Sequence, residues 1–340
     1  MMALESGLWP RLRDYWHPVA YCADVGAEPV AARLLGVQIV LARLDGTTAC
    51  LRDLCAHRGT PLSLGWVNGS TLTCAYHGWR YRADGACVHI PARPEGVIPR
   101  RARVDAYRVA ERYGLVWVCL GEPRAPVPEF PEFDDPTYRK TLYPPVHWRC
   151  SAARQTENFI DQAHFPWVHE GILGDRGQPE SIDADIERHG EELRYEYVDR
   201  PNPMHPLPHR RIYRVHRPFT IHQRKVRSGE DDVEASFSPV CPVSAGESTG
   251  FLIVARNFPL DPVEEARRYQ LDVLIQEQDQ RIVEAQRPEE LPIDLAAELH
   301  IKGPDAVAIA YRRLLAELGV DADAAAGRGK VTRPPAGQAR

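Results

Sequence analysis

The segments CAHRG (55–59) and CAYHGW (74–79) decide how the first third of this chain is interpreted. Each segment contains one cysteine and one histidine, with a glycine one or two residues after the histidine. Thiolates and imidazoles are ligands for soft and borderline metal ions. A zinc finger usually places its cysteines in one pair and its histidines in another. The interleaved order therefore indicates a different kind of metal centre.

The spacing of these four residues favours an iron–sulfur cluster. Cys55 and His57 are two residues apart, Cys74 and His77 are three apart, and sixteen residues separate His57 from Cys74. In a [2Fe–2S] cluster of the Rieske type, two thiolates hold one iron and two imidazoles hold the other, which raises the reduction potential. Each segment would then donate one ligand to each iron. Zinc held by the same four side chains is the alternative.

The composition is that of a globular protein with more than one domain. The chain has 340 residues, of which 44% are apolar and 26% charged, and this length accommodates two domains. A formal charge of -5 argues against nucleic acid as a partner, and we interpret the basic stretch 209–227 as a solvated strand face. The sequence contains no run of 18 apolar residues, so no membrane-spanning helix is predicted. Eight scattered cysteines are typical of a cytoplasmic protein.

The first part of the chain, 10–122, predicts a small β domain that contains both metal-binding segments. Short apolar runs alternate with turn residues, including a hairpin turn at Asp84-Gly85. The segment YGLVWVCLG (113–121) predicts a strand that is buried on both faces. A proline-rich stretch follows, and its prolines argue against a helix or a central strand. We therefore assign 123–138 as a linker.

The remainder, 139–320, predicts a second domain of mixed structure. A first helix is expected over 153–169, and antiparallel strands are expected after it as far as residue 257. A long helix begins after the N-cap Asp261, and a last amphipathic helix covers 304–318. The tail 321–340 is rich in alanine, glycine, proline and basic residues, and we expect it to be disordered.

The first predicted helix carries candidates for a second metal site. Asn158, Asp161 and His164 step by three residues, so a helix would place them near one face. His169 lies five residues beyond His164, and an undistorted helix would turn its side chain away. Pro166 removes a backbone donor between the two histidines, and a bend there would let both imidazoles converge.

Two histidines and one carboxylate form the facial triad that binds non-haem iron(II) and leaves positions open for O2. The long C-terminal helix offers Glu277, Asp279 and Glu284 as the carboxylate. Asp279 has Ile275 four residues before it and Ile282 three residues after it, so it lies against the apolar stripe of the helix. A carboxylate that faces the core is costly unless it is paired or binds a metal. Asp279 is therefore the predicted ligand.

Together, these motifs resemble the Rieske non-haem iron oxygenases, namely the α subunits of ring-hydroxylating oxygenases and the oxidative demethylases. The segments YHGWRY (76–81) and ERYGLVWVCLG (111–121) are most similar to Rieske hydroxylases of the saxitoxin pathway. The resemblance implies an α+β fold, in which an N-terminal all-β Rieske domain precedes a helix-grip catalytic domain with a curved antiparallel sheet. It also implies that Asp161 bridges a cluster histidine of one subunit and the iron ligand His164 of the next, in a homotrimer.

The resemblance further implies an O2-dependent enzyme that hydroxylates or oxidatively demethylates a small aromatic, alkaloid or natural-product substrate. Electrons would come from NAD(P)H through a separate flavin reductase, with or without a ferredoxin. The [2Fe–2S] cluster and Fe(II) would be the cofactors. A cis-dihydroxylating aromatic dioxygenase is the alternative, and a Rieske electron carrier without oxygenase chemistry is a further one.

Overall fold

The computed structural model describes residues 10–203, 206–227 and 231–318. The N-terminal part is built from ten strands. These are β1 His17–Tyr21, β2 Val30–Leu34, β3 Val37–Leu44, β4 Thr47–Arg52, β5 Trp66–Asn68, β6 Thr71–Thr73, β7 Arg80–Arg82, β8 Cys87–His89, β9 Ala106–Arg112 and β10 Leu115–Cys119. Six of them form an antiparallel sheet in the order β1-β10-β9-β4-β3-β2, and β5 to β8 form a second sheet of four strands. The predicted hairpin turn and the fully buried strand β10 are both confirmed.

The described residues of the C-terminal part form nine strands and five α-helices. The helices are α1 Pro131–Asp134, α2 Ala152–Ile160, α3 Phe165–Val168, α4 Pro262–Val283 and α5 Ala306–Ala316. The strands are β11 Arg139–Leu142, β12 Val146–Trp148, β13 Asp185–His189, β14 Glu192–Asp199, β15 His209–His216, β16 Thr220–Arg227, β17 Val233–Ser244, β18 Glu247–Gly250 and β19 Ile253–Arg256. The main sheet has the order β11-β19-β17-β16-β15-β14-β13, and β18 joins β12 to β17. The predicted α+β fold, with an all-β domain followed by an antiparallel-sheet domain, is confirmed.

Two expectations about helices are wrong. The segment expected to form one helix over 153–169 forms two, because α2 ends at Ile160 and α3 begins only at Phe165. Asp161 has an extended backbone with ψ of 133°, which cannot continue a helix. The proline-rich stretch contains the short helix α1, which is possible because Pro131 occupies its first turn, where no backbone donor is required.

The proline-rich stretch also joins the two cores. Phe130 is fully buried and stacks on Phe237 of the C-terminal sheet, with ring centroids 4.8 Å apart. Phe237 in turn lies 6.2 Å from Trp117 of the N-terminal sheet. The turn between β2 and β3 adds hydrogen bonds, because Leu35 N–H donates to the carbonyl of Pro242. One hydrophobic cluster therefore runs through both parts of the molecule.

Candidate metal centres

The four cysteine and histidine residues of the N-terminal part lie on two loops of similar shape. The first loop follows β4, and the second joins β6 to β7. In each loop a glycine N–H donates to the carbonyl of the cysteine over 2.9 Å, Gly59 to Cys55 and Gly78 to Cys74. Both glycines have a positive φ, +71° and +68°, which a residue with a Cβ adopts only with strain. The glycines thus allow each loop to turn back beneath its ligands.

The two loops bury their thiols and expose their imidazoles. Cys55 and Cys74 are 3% and 1% exposed, whereas His57 and His77 are exposed. The two imidazole rings are neighbours, with centroids 4.5 Å apart. A [2Fe–2S] cluster fits this arrangement, because one iron would lie inward on two thiolates and the other outward on two imidazoles. The imidazole end would then face solvent or a partner.

Two aromatic residues next to the second loop support these ligands, and the sequence analysis missed both. The hydroxyl of the fully buried Tyr81 lies 3.1 Å from Cys55 Sγ, and Trp79 stacks on the His57 ring at 4.6 Å. Burial raises the pKa of the Cys74 thiol, so a metal must displace its proton on binding. The proximity of Trp79 and Tyr81 to His77 in the chain was the one available signal.

A second group of metal-ligating atoms lies in the C-terminal part. His164, His169 and Asp279 bring one ligand atom each to within 4.8 Å of one another. Asp279 Oδ1 is 3.0 Å from His169 Nε2 and 3.4 Å from His164 Nε2. These three buried atoms have no other hydrogen-bond partner in the described part of the chain. Two nitrogens and one carboxylate oxygen are the donor set of the facial triad, so a ferrous ion fits the group.

Each histidine of this group is held by a hydrogen bond from its other nitrogen. His164 Nδ1–H donates to Asp161 Oδ2 over 3.0 Å, and His169 Nδ1–H donates to Gln278 Oε1 over 2.8 Å. Both Nε2 lone pairs are therefore directed toward Asp279. Burial opposes a charge on His164, but Asp161 and Asp279 outweigh it and raise its pKa to about 9. The surroundings favour a positive charge at this point.

Local structure explains how these residues meet. Ser151 Oγ accepts a hydrogen bond from Arg154 N–H and so caps α2, which ends just before Asp161. His164 and His169 then flank the single helical turn of α3, which brings their rings to 5.1 Å centroid separation. Asp279 reaches them from α4. The expected bend at Pro166 is not what brings the histidines together, because the chain breaks between Ile160 and Phe165 and Pro166 lies in the first turn of α3.

A cavity of about 140 Å³ opens beside the three ligand atoms. One wall is apolar and includes Phe159, Phe165, Leu173 and Ile275. The opposite wall is the face of the main sheet and consists of polar side chains. Part of this wall comes from the stretch 209–227, and the interpretation of that stretch as a solvated strand face is wrong for Arg211, Tyr213 and Gln223, which are at most 9% exposed.

Comparison with known families defines the class of both parts. Residues 15–110 match the Rieske [2Fe–2S] domain family, and residues 148–321 match the vanillate O-demethylase oxygenase C-terminal domain family. The fold and the two centres together are those of a Rieske iron–sulfur protein with an oxygenase domain.

Similarity to characterised enzymes extends over nearly the whole chain, which belongs to the Rieske non-haem iron oxygenases. Methylxanthine N1-demethylase NdmA of Pseudomonas putida is 33% identical over 320 residues, which is 90% of this chain and 89% of that enzyme. Methylxanthine N3-demethylase NdmB of the same organism is 30% identical, over 92% and 90% of the two chains. The structure of NdmA with caffeine aligns with a TM-score of 0.81, 33% identity and coverage of 90% and 91%.

Family membership establishes the general activity and cofactors. The protein is an O2-dependent oxygenase that hydroxylates or oxidatively demethylates a small organic substrate, and it uses a [2Fe–2S] cluster and non-haem iron. Its electrons come from a separate reductase system. Among the described residues, no helix combines the length and the apolar character needed to cross a bilayer.

Proposed function

We propose that His164, His169 and Asp279 hold the single ferrous ion of this oxygenase. The observation that carries the proposal is the convergence of three buried ligand atoms that have no other partner in the described chain. A ferrous ion held by these residues would supply the chemistry of O2 activation, and the triad would leave coordination positions open for it. The protein fixes the tautomers of both imidazoles and holds the substrate in the adjoining cavity.

The proposed ligands of the cluster are the four residues of the two N-terminal loops, namely Cys55, His57, Cys74 and His77. Burial of the thiols supports this assignment, because the cysteine-bound iron would be shielded from water. Exposure of the imidazoles also supports it, because electrons would enter and leave through the accessible end of the cluster. Trp79 stacks on one imidazole and restrains its ring plane.

Asp161 is the proposed bridge for electron transfer between subunits of a homotrimer. Its Oδ2 accepts from His164, its Oδ1 accepts from Ala163 N–H, and its side chain is 34% exposed. A partly exposed carboxylate bonded to a proposed ligand histidine would be available to an imidazole of a neighbouring subunit. The exposed imidazoles His57 and His77 are the complementary groups.

Replacement of the bridging carboxylate tests this role. Asp161→Asn is expected to retain both metal centres and to lower turnover at least about a hundredfold, because the amide neither carries the charge nor fixes the His164 tautomer as a carboxylate does. Metal analysis measures whether both centres are retained. Single-turnover kinetics with a pre-reduced cluster measures the loss of turnover. Full turnover in this variant would contradict the bridge.

The proposed reaction is oxidative removal of a methyl group from nitrogen or oxygen. The two relatives that align over nearly the whole chain are named as N-demethylases, whereas two relatives named as dioxygenases align over 36% and 48% of it. One oxygen atom of O2 would enter the methyl group, which leaves as formaldehyde. The other oxygen would leave as water after the uptake of two electrons and two protons.

Iron analysis together with product analysis tests the proposal. The purified protein is expected to contain about three irons per chain, two in the cluster and one in the triad. His169→Ala should contain two irons, keep the visible spectrum of the cluster and lose formaldehyde release. A wild-type protein with two irons and a complete cluster would contradict the mononuclear site.

A further inference from the structure

The polar wall of the cavity contains three neutral side chains that form no hydrogen bond with other described residues. Gln223 on β16 is directly opposite Ser236 on β17, so both side chains are on one face of the sheet. Ser238 is two residues beyond Ser236 and shares that face. In the described part of the chain, none of these three side chains forms a hydrogen bond, and all three line the cavity.

Gln223 is the strongest indication of a ligand. The residue is only 9% exposed, and its amide forms no hydrogen bond to the described residues. The amide atoms are not fully enclosed and open onto the cavity, so water or a ligand in the cavity must satisfy them. A carboxamide offers one N–H donor beside one carbonyl acceptor. Its complement is a group that presents an acceptor beside a donor.

The charged residues of the same wall are already paired. Lys225 Nζ is 3.0 Å from Glu234 Oε1, and Arg211 is 2.7 Å from Asp199 Oδ2. Each cation is already neutralised by a buried carboxylate and therefore offers an anionic substrate little net positive charge. Such a substrate would also approach Asp272, which accepts a hydrogen bond from the Tyr143 hydroxyl over 2.5 Å at the same cavity. The wall therefore favours an uncharged ligand.

The size of the cavity limits the part of the substrate that lies beside the metal. Its volume is about 140 Å³, and an engineered protein cavity of about 150 Å³ accommodates benzene. A single ring therefore fits between the apolar wall of Phe159 and Phe165 and the polar face of the sheet. Its planar faces would contact apolar side chains, while one edge would meet Gln223.

We propose that Gln223, Ser236 and Ser238 form the substrate-recognition surface, and that the substrate is an uncharged ring with an amide-like edge, as in a lactam, imide or ureide. This inference rests on the proposed function, because it takes the cavity beside the triad as the substrate site. It assigns specificity to the sheet and places the methyl group that is oxidised on the opposite side of the ring.

Binding of three small probes to the iron-loaded protein under anaerobic conditions tests the inference. The probes are 1-methyluracil, which has an imide edge, anisole, which has none, and 4-methoxybenzoate, which is an anion. Calorimetry should give 1-methyluracil a dissociation constant at least about tenfold lower than those of the other two. Tighter binding of the anion or of anisole, or no binding of 1-methyluracil, would overturn the inference.

Substitutions in the polar wall test which side chains cause the preference for 1-methyluracil. Gln223→Leu should weaken 1-methyluracil binding by about ten- to a hundredfold and change anisole binding by less than about twofold, because only the imide edge loses its partner. The double variant Ser236→Ala/Ser238→Ala should also weaken the binding of 1-methyluracil, although it leaves the amide of Gln223 in place. Gln270→Leu, at an exposed position of α4, is the matched control and should leave all three constants unchanged.

Equal weakening of 1-methyluracil and anisole by Gln223→Leu would overturn the inference, because it would indicate a general disturbance of the cavity. Iron content is measured on the same samples. A missing third iron would contradict the proposed function, whereas full iron with the wrong order of binding would contradict only the substrate class.

Discussion

At the scale of single residues, Gln278 determines which nitrogen of His169 faces the proposed metal position. Its Oε1 accepts the Nδ1–H of His169 over 2.8 Å, while Asp161 does the same for His164. One ligand histidine is thus held by a neutral amide and the other by a carboxylate. The carboxylate of Asp161 also raises the pKa of His164.

Gln278→Leu is expected to weaken binding of Fe(II) by about ten- to a hundredfold, because His169 loses the hydrogen bond that fixes its tautomer. Titration of iron-free protein against a chelator of known affinity measures this change. Cluster absorbance should stay constant, and Gln270→Leu should behave as the wild type. Unchanged iron affinity in Gln278→Leu would exclude this positioning role.

His17 makes the stability of the fold depend on pH. Its side chain is 1% exposed, its Nε2–H donates to the Leu12 carbonyl, and burial lowers its pKa to about 4. Because the folded pKa lies below the unfolded value of 6.5, the unfolded chain binds more protons in this range. The contribution is fully present above pH 6.5 and is lost as the pH falls toward 4.

From pH 7 to pH 5 this residue should lower the free energy of unfolding by about 2 kcal/mol. His17→Gln keeps a hydrogen-bond donor but does not titrate, so it should show a correspondingly smaller loss in urea denaturation at the two pH values. His189→Gln, at an exposed position, is the control. An equal pH dependence in wild type and His17→Gln would disprove this assignment.

At the scale of elements, the site depends on where α2 ends and how closely the next loop packs. Gly174 lies against the backbone of α3, and a Cβ at this position would be 2.6 Å from the nitrogen of Pro166. Backbone atoms cannot move aside as a flexible side chain can. The loop after His169 therefore holds α3 in place and, with it, both ligand histidines.

Gly174→Ala should displace α3 and reduce the affinity for Fe(II) by about tenfold, with a loss of about 1–3 kcal/mol in stability from overpacking. Gly246→Ala is the matched control, because a Cβ there meets nothing within 4 Å. Iron titration and thermal unfolding measure the two effects. Iron affinity unchanged in Gly174→Ala would mean that α3 is positioned from elsewhere.

The proposed metal ligands could be selected from the sequence because each set depends on short spacing or on the neighbours of one residue within a helix. The choice of Asp279 rested on Ile275 and Ile282 as buried neighbours, although Ile282 is exposed in the structure. The break between α2 and α3 was missed because the extended backbone of Asp161 is set by the contacts of its side chain. Gln223 was missed for a different reason. Its importance depends on pairing with Ser236, and such pairing is a long-range property of the sheet.

At the scale of the whole molecule, the N-terminal and C-terminal parts share one hydrophobic core. The proposed cluster ligands lie in the first part and the proposed iron ligands in the second. Phe130, Trp117 and Phe237 fix the N-terminal part against the C-terminal sheet. The exposed imidazoles of one part therefore have a defined direction relative to Asp161 of the other. Transfer between neighbouring subunits then requires only that copies associate head to tail, which is a heterologous ring interface.

Co-expression of two defective chains tests transfer between subunits. One chain carries Cys74→Ser and lacks the cluster, and the other carries His169→Ala and lacks the mononuclear iron. With random assembly, about a quarter of the junctions in a ring join a working cluster to a working iron, so about a quarter of wild-type activity per chain is expected. Each variant alone should be inactive. An inactive mixed trimer would indicate that electrons stay within one chain.

The proposed iron ligands flank α3 or lie on α4, opposite a polar face to which β16 and β17 contribute, and this separation has a consequence for evolution. Point substitutions along two strands can change which compound is accepted without touching the oxidising centre. Duplicated copies of such a gene can therefore diverge in substrate specificity while they retain the same catalytic centre. The same separation gives protein engineers a short stretch of chain in which to search for new selectivity.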